Sequence, residues 1–337
     1  MRNSFNTAGF SEVVHEIRND PAEADFWYTA KARSSPSRGL SVDIGPALFG
    51  TIKSARSFRV EVGDPADGPC ADAPLPLHLA LTGIASCALT TLVGGGSSQN
   101  VVFDSADMEL TCRDGAYETR VAVGGVPEDK VVADLLDQVE QFSPNYRTLT
   151  QHVPVALGFG SRPLPGADGA EVAAGRTVAC RVRWISGTQL LSRPLGEGCG
   201  PDLRVDAPKQ LTGVDWGPNP QEYLLMGLAA DVAAQLGRLS RADGRYLTWE
   251  VSATGREDIG GLLQADPAAV VHLQDVACAV APPRGAKAAS ESELTELVRT
   301  AFAHSEVRDL ISRARSAGLA WQPQADTPVP SQEPGCA

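Results

Sequence analysis

Two stretches decide how this chain reads: PLHLALTGIASCALTTL, residues 76–92, and PQEYLLMGLAADVAAQL, residues 220–236. They align without a gap, so that Pro76 falls on Pro220, Leu81 on Leu225, Gly83 on Gly227, Ala85 on Ala229 and Leu92 on Leu236. Each opens on a proline, which suits the first turn of a helix because its missing N–H has no intrahelical acceptor there. Each then runs apolar for about four turns, as expected of a buried helix.

The order of elements around the first stretch recurs around the second. In the first half, Ser11–Arg18 reads as a short helix capped by Ser11 and ended at Asp20-Pro21. Strand patterns follow at Phe26–Arg33, Gly39–Ile44 and Ser57–Val62, then a polar loop at Gly63–Pro76. The central helix is expected to stop at Gly94-Gly95-Gly96. Strands at Val101–Cys112 and Tyr117–Val123, a helix at Pro127–Gln141 and the segment SPNYRTLTQHVPVALGF complete the half. In the second half a strand at Thr177–Ile185 leads to the loop RVDAPKQLTGVDWGPNP and the helix from Pro220. Strands at Tyr246–Thr254 and Val270–Val280, a helix from Ser292 to about Ala303 and HSEVRDLI follow. A period this long means duplicated domains rather than a solenoid. The division expected is a first unit at 1–160, a Gly/Pro/Ala-rich linker at 161–175, a second unit at 176–322 and a flexible tail at 323–337. The fold class expected is α+β.

Composition narrows the function. The chain has 337 residues, 43% hydrophobic and 21% charged, with a formal net charge of −12. No cluster of Lys and Arg offers a seat for nucleic acid or an anionic membrane, so neither is expected as a partner. Residues 75–93 are apolar but interrupted by His78, Thr82, Ser86, Thr90 and Thr91, which favours a buried helix over a membrane span. The N-terminus carries no secretory signal pattern. The seven cysteines are scattered without CxxC spacing, so neither a structural zinc nor any other metal is expected, and a reduced, cytoplasmic setting fits. No motif calls for a cofactor. Gly94–Ser98 lacks the Gly-Lys-Ser/Thr of a phosphate loop and follows a helix instead of preceding one.

Taken together, RVDAPKQLTGVDWGPNPQEYLLMGLAAD, GREDIGGLLQADPAAVVHLQDVACAV, VVHEIRNDPAEA, the IASCALTTL helix and VEQFSPNYRTLTQHVPVAL resemble the OsmC/Ohr family across most of the chain. The resemblance implies two OsmC-like units, each with a long central helix wrapped by antiparallel sheet. Members of that family are generally homodimers with sites at the dimer interface. A tandem chain would supply both protomers itself, as an intramolecular pseudo-dimer that is monomeric or dimerises through another face. Fusion also frees the two half-sites to diverge, which a closed two-fold homodimer forbids.

The resemblance also assigns candidate residues. Cys87 takes the position of the family's reactive thiol, and Asp231 stands at that position in the second half. The resolving-cysteine position reads Ser143 and Ser305, and the family's glutamate position reads Leu77 and Gln221. These departures weigh against ordinary hydroperoxide turnover, although Cys70 is a candidate substitute resolving thiol. Arg59 and Arg204 are candidates for the family's arginine, and Tyr146 and Glu222 for substrate contacts beside Ser143. His78 is a candidate partner for Cys87, but nine residues at about 100° each put the two on opposite helix faces. Three readings stay open: a thiol-dependent enzyme acting on a small molecule, a thiol or peroxide among the candidates; acid–base chemistry with Asp231; and a non-catalytic ligand-binding protein.

Overall fold

The computed structural model describes residues 3–64, 72–126, 128–166, 176–196, 200–284 and 289–321. Helix α1 (Thr7–Asn19) is capped by Asn6, whose side chain accepts from the Gly9 N–H. Ser11, expected as the cap, lies inside the helix and bonds back to the Thr7 carbonyl. Strands β1 (Asp25–Ser35), β2 (Gly39–Ile44), β3 (Ala47–Phe49), β4 (Ile52–Ser54) and β5 (Arg59–Val62) lead to α2 (Pro76–Ser98). Then come β6 (Ser105–Arg113), β7 (Ala116–Gly124), α3 (Asp129–Phe142), α4 (Pro144–Thr150), β8 (Val155–Phe159) and β9 (Arg162–Leu164). Beyond residues 167–175 follow β10 (Thr177–Ser186), β11 (Gln189–Gly196), β12 (Leu203–Val205), α5 (Pro220–Ala242), β13 (Trp249–Asp258) and the single turn α6 (Ile259–Leu262). The described residues end with β14 (Gln274–Val280), α7 (Glu291–Ala303), α8 (Glu306–Ser312) and β15 (Leu319–Trp321).

The fold is mixed α and β with two sheets, and neither sheet belongs to one half of the chain. One runs β4-β3-β1-β13-β14-β8-β9, with β2 and β5 attached beside β1; the other runs β12-β11-β10-β6-β7-β15. β1 pairs antiparallel with β13, and β10 pairs antiparallel with β6. β8 joins β14 in parallel, as β15 joins β7. These four pairings match two by two: β1 with β13 corresponds to β10 with β6, and β8 with β14 to β15 with β7.

α2 and α5, each 23 residues long, lie against each other between the sheets, α2 on β6 and β10 and α5 on β1 and β13. Their crossing explains the matched glycines. A Cβ on Gly83 would stand 2.6 Å from the Pro220 carbonyl oxygen, and one on Gly227 would stand 2.9 Å from that of Pro76. Each helix thus brings its glycine to the other's first turn, where no side chain fits. α2 is the one helix among the described residues long and apolar enough to cross a membrane, but 83% of its apolar window is buried inside the protein.

Two expectations change on packing grounds. α2 does not stop at the triple glycine but continues to Ser98. These glycines make room for neighbours: a Cβ on Gly96 would meet the Phe103 ring at 2.4 Å, and one on Gly95 the Gln138 amide at 2.6 Å. Between the strand expected at Thr177–Ile185 and the loop before α5 the chain forms a further strand, β11, in which Pro194 pairs with Cys180 beyond the point where β12 stops pairing. The missing N–H therefore costs no ladder bond on that side. Part of the expected linker is β9, paired with β8.

Candidate functional site

Cys87 sits on α2 with 3% of its surface exposed. The junction of α3 and α4 supplies two donors to its sulfur: the Ser143 hydroxyl at 3.3 Å and the Asn145 N–H at 3.5 Å. Asn145 is fixed because its amide nitrogen donates to the Gly83 and Pro220 carbonyls, tying α2 to α5. From α5, Gln221 Nε2 approaches the sulfur at 3.8 Å and donates to Glu257 Oε1 at 3.0 Å. The other oxygen of Glu257 accepts from the Tyr28 hydroxyl at 2.6 Å. Cys87 and Tyr28 come from the first half of the chain, Gln221 and Glu257 from the second.

Electrostatics here follow from burial. Desolvation, and next the Glu257 carboxylate, push the Cys87 thiol up to about 12, and the bonds from Ser143 and Asn145 pull only partly the other way. Desolvation holds Glu257 up to about 7 against the hydrogen bonds from Tyr28 and Gln221. Of the two, Glu257 ionises first as pH rises, and near neutral pH the thiol keeps its proton.

Cys87 and Gln221 open onto a cavity of about 650 Å³, walled by α1, α2, the end of α3, the loop before α5 and the turn after α6. Phe5, Phe10 and Leu211 make much of the wall apolar, and Arg18 joins the lining. The volume suits a small molecule. Of the cysteines in the described residues, Cys87 alone lines it.

The second half repeats the arrangement around Asp231 with different chemistry. Asp231 Oδ2 accepts from the Ser305 hydroxyl at 2.6 Å and the Val307 N–H at 3.0 Å, at the start of α8. Burial raises its pKa above the usual carboxylate range against those bonds. Asp231 is 3% exposed and absent from the cavity lining, so it is a satisfied buried carboxylate.

The other candidates are dispersed. His78 closes the first turn of α2: Nδ1 accepts from the Leu75 N–H at 3.0 Å, which leaves Nε2–H to donate to the Leu195 carbonyl at 2.9 Å. Desolvation lowers its pKa to about 4, so it is a neutral capping residue with both nitrogens occupied and does not pair with Cys87. Glu222, at the equivalent position of α5, caps the Asn219 N–H and receives Arg56 at 2.5 Å. Arg59 lies exposed on β5, bound to Glu61, Asp43 and Ser41. Arg204 rests over the Trp216 ring. Tyr146 donates to the Ala317 carbonyl at 2.5 Å and so tethers the segment before β15. Cys70 lies outside the described residues.

Tyr28 and Glu257 were missed, yet strand alternation marks both. In β13 the residues from Trp249 are buried at every second position, and that phase places Glu257 inward; β1 does the same for Tyr28. Arg56 was missed as well, and no local pattern signals it. It stacks over Phe49 and Phe58 and pairs with Asp215 and Glu222 while only 8% exposed.

Among the described residues no group of three His, Cys, Asp or Glu is placed to hold a metal ion. No protein-family model matches the chain, and comparison with curated proteins finds no match.

Proposed function

We propose that this protein is a tandem OsmC-like chain folded as an intramolecular pseudo-dimer, and that it is an enzyme using Cys87 as its single active thiol on a small, largely apolar molecule. The observation that carries this reading is the position of Cys87. Its sulfur lines a cavity of about 650 Å³ and receives two hydrogen bonds that favour the thiolate. The repeated strand pairings and the reciprocal glycine crossing support the pseudo-dimer. A reducing, cytoplasmic setting suits the chemistry, since Cys87 must rest as a free thiol.

Ordinary hydroperoxide turnover fits poorly. Where a resolving thiol would stand, the Ser143 hydroxyl touches the sulfur, and the nearest charge acting on Cys87 is a carboxylate. With a hydroperoxide as substrate, the sulfur would take the terminal oxygen, giving a sulfenic acid and an alcohol. An external thiol would then displace water to form a mixed disulfide, and a second would release Cys87.

The test is mass spectrometry of the folded protein after one equivalent of cumene hydroperoxide with dimedone, and separately after iodoacetamide. Modification of Cys87, located by peptide mapping and absent in Cys87→Ser, is expected. A Cys87 that stays unmodified by both reagents in the folded protein overturns the thiol reading. That result would favour a second reading, prompted by the strongly raised thiol pKa: a binding protein in which Cys87 is only part of the cavity wall.

A further inference from the structure

The cavity wall beside Cys87 presents hydrogen-bonding groups that the protein leaves unused, and their polarity is fixed by their neighbours. Asn219 caps α5, with its Oδ1 accepting from the Glu222 N–H at 2.7 Å. That bond dictates which end of the amide is which, so Nδ2 is the free end. Nδ2 has no hydrogen-bond partner, although Asn219 is 1% exposed and lies in the cavity wall. Two residues on, Gln221 is locked in the opposite sense. Its Nε2 is committed to Glu257 and Cys87, which leaves Oε1 as an acceptor at the same wall. On α2, the Thr90 hydroxyl is also buried and unpartnered, whereas the next residue, Thr91, bonds back to the Cys87 carbonyl.

A buried donor without a partner costs free energy that a bound acceptor restores, and a free acceptor beside it penalises any ligand lacking a donor. The wall therefore asks for a neutral group carrying both. A carboxylate has no donor and would approach the buried Glu257; an ester or ketone leaves Gln221 Oε1 unmatched. Phe10 and Leu211 line the remainder with apolar surface.

We infer that the cavity binds a neutral carboxamide on a largely apolar body, its carbonyl oxygen accepting from Asn219 Nδ2 and its N–H donating to Gln221 Oε1. This rests on the reading that the cavity beside Cys87 is the functional site, and it names the ligand class of that site.

The test is isothermal titration of the full chain with nonanamide and with 2-decanone, which have the same shape and differ by NH2 against CH3. Nonanamide should bind about tenfold more tightly, the equivalent of about 1.4 kcal/mol. The ratio should fall to about one in Gln221→Leu, which places in the second half the residue that Leu77 already supplies in the first. Asn219→Ser keeps the helix cap and removes Nδ2, so it should weaken both ligands by a similar factor of about five to ten. Equal or tighter binding of the ketone to the wild-type protein overturns the inference, as does a ratio that survives Gln221→Leu. The titration is repeated on Cys87→Ala to separate the two claims. Amide preference retained there, with no chemistry at Cys87 in the wild type, removes the thiol reading alone. Chemistry at Cys87 without amide preference removes this inference alone.

Discussion

The neighbourhoods of Cys87 and Asp231 share one plan and differ in what it serves. In both, a serine hydroxyl and the N–H two residues later converge on one acceptor of a central helix: Ser143 and Asn145 on Cys87, Ser305 and Val307 on Asp231. The oxygen acceptor draws its donors to 2.6 and 3.0 Å, the sulfur to 3.3 and 3.5 Å. Gln221 then links Cys87 to Glu257, while its counterpart in the first half is the buried Leu77. Two donors at a helix start thus seat either a sulfur or a carboxylate oxygen. What lies beside the two seats differs: Cys87 lines the cavity of about 650 Å³, and Asp231 is not part of its wall.

The largest expected effect concerns the plan itself. Each sheet takes strands from both halves, so residues 1–166 and 176–337 expressed separately should each fail to fold, and co-expression should restore a 1:1 complex. Two independently folded, non-associating halves, seen by circular dichroism and size-exclusion chromatography, would show that the two halves do not depend on each other's strands.

Next come the seats. Asp231→Ala leaves the Ser305 hydroxyl and the Val307 N–H buried without an acceptor and should cost about 2–4 kcal/mol in urea unfolding. Cys87→Ala should cost about 1–2 kcal/mol, because a thiol is a weak acceptor and little beyond its packing is lost. A reversed order would show that Asp231 is no strut.

Glu257 sharpens the difference through pH. Its folded pKa of about 7 lies above the unfolded value of roughly 4.3, so its favourable contribution is fully present below the unfolded pKa and is lost as pH rises through about 7. Between pH 4 and 8, wild-type stability should therefore fall relative to Glu257→Gln by about 3 kcal/mol. The same substitution removes the charge that raises the Cys87 thiol, so the pH midpoint of its alkylation should move down. An unchanged midpoint would show that Glu257 does not act on the sulfur.

An effect of similar size tests the crossing. Gly83→Ala and Gly227→Ala each force a methyl against the first turn of the opposite helix and should each cost about 1–3 kcal/mol. Costs that differ widely would mean the two contacts are not equivalent.

Much of this was legible in residues alone. The ungapped match of residues 76–92 with 220–236, and the same element order around both, can be read from the residues because helix and strand periodicities are local properties of the chain. The same residues place Cys87 and Asp231 at one position and Ser143 and Ser305 at another. Long-range packing decided the rest. Which half a strand pairs with depends on edges brought together across the chain, so the mixing of β1 with β13 and of β10 with β6 leaves no mark in local pattern. Gly94-Gly95-Gly96 reads as a helix stop until Phe103 and Gln138 are seen filling the space the glycines leave. Helix periodicity alone sets His78 on the face opposite Cys87, but its ring partners, the Leu75 N–H and the Leu195 carbonyl, appear only in the fold. Glu257 acquires its character only in the folded state, where removal from water raises its pKa and Gln221 connects it to Cys87. Sequence determined which chemical groups the chain carries and their local periodicity. Tertiary structure decided which of them lose water and which face a cavity, because burial and distance between remote residues exist only once the chain has folded.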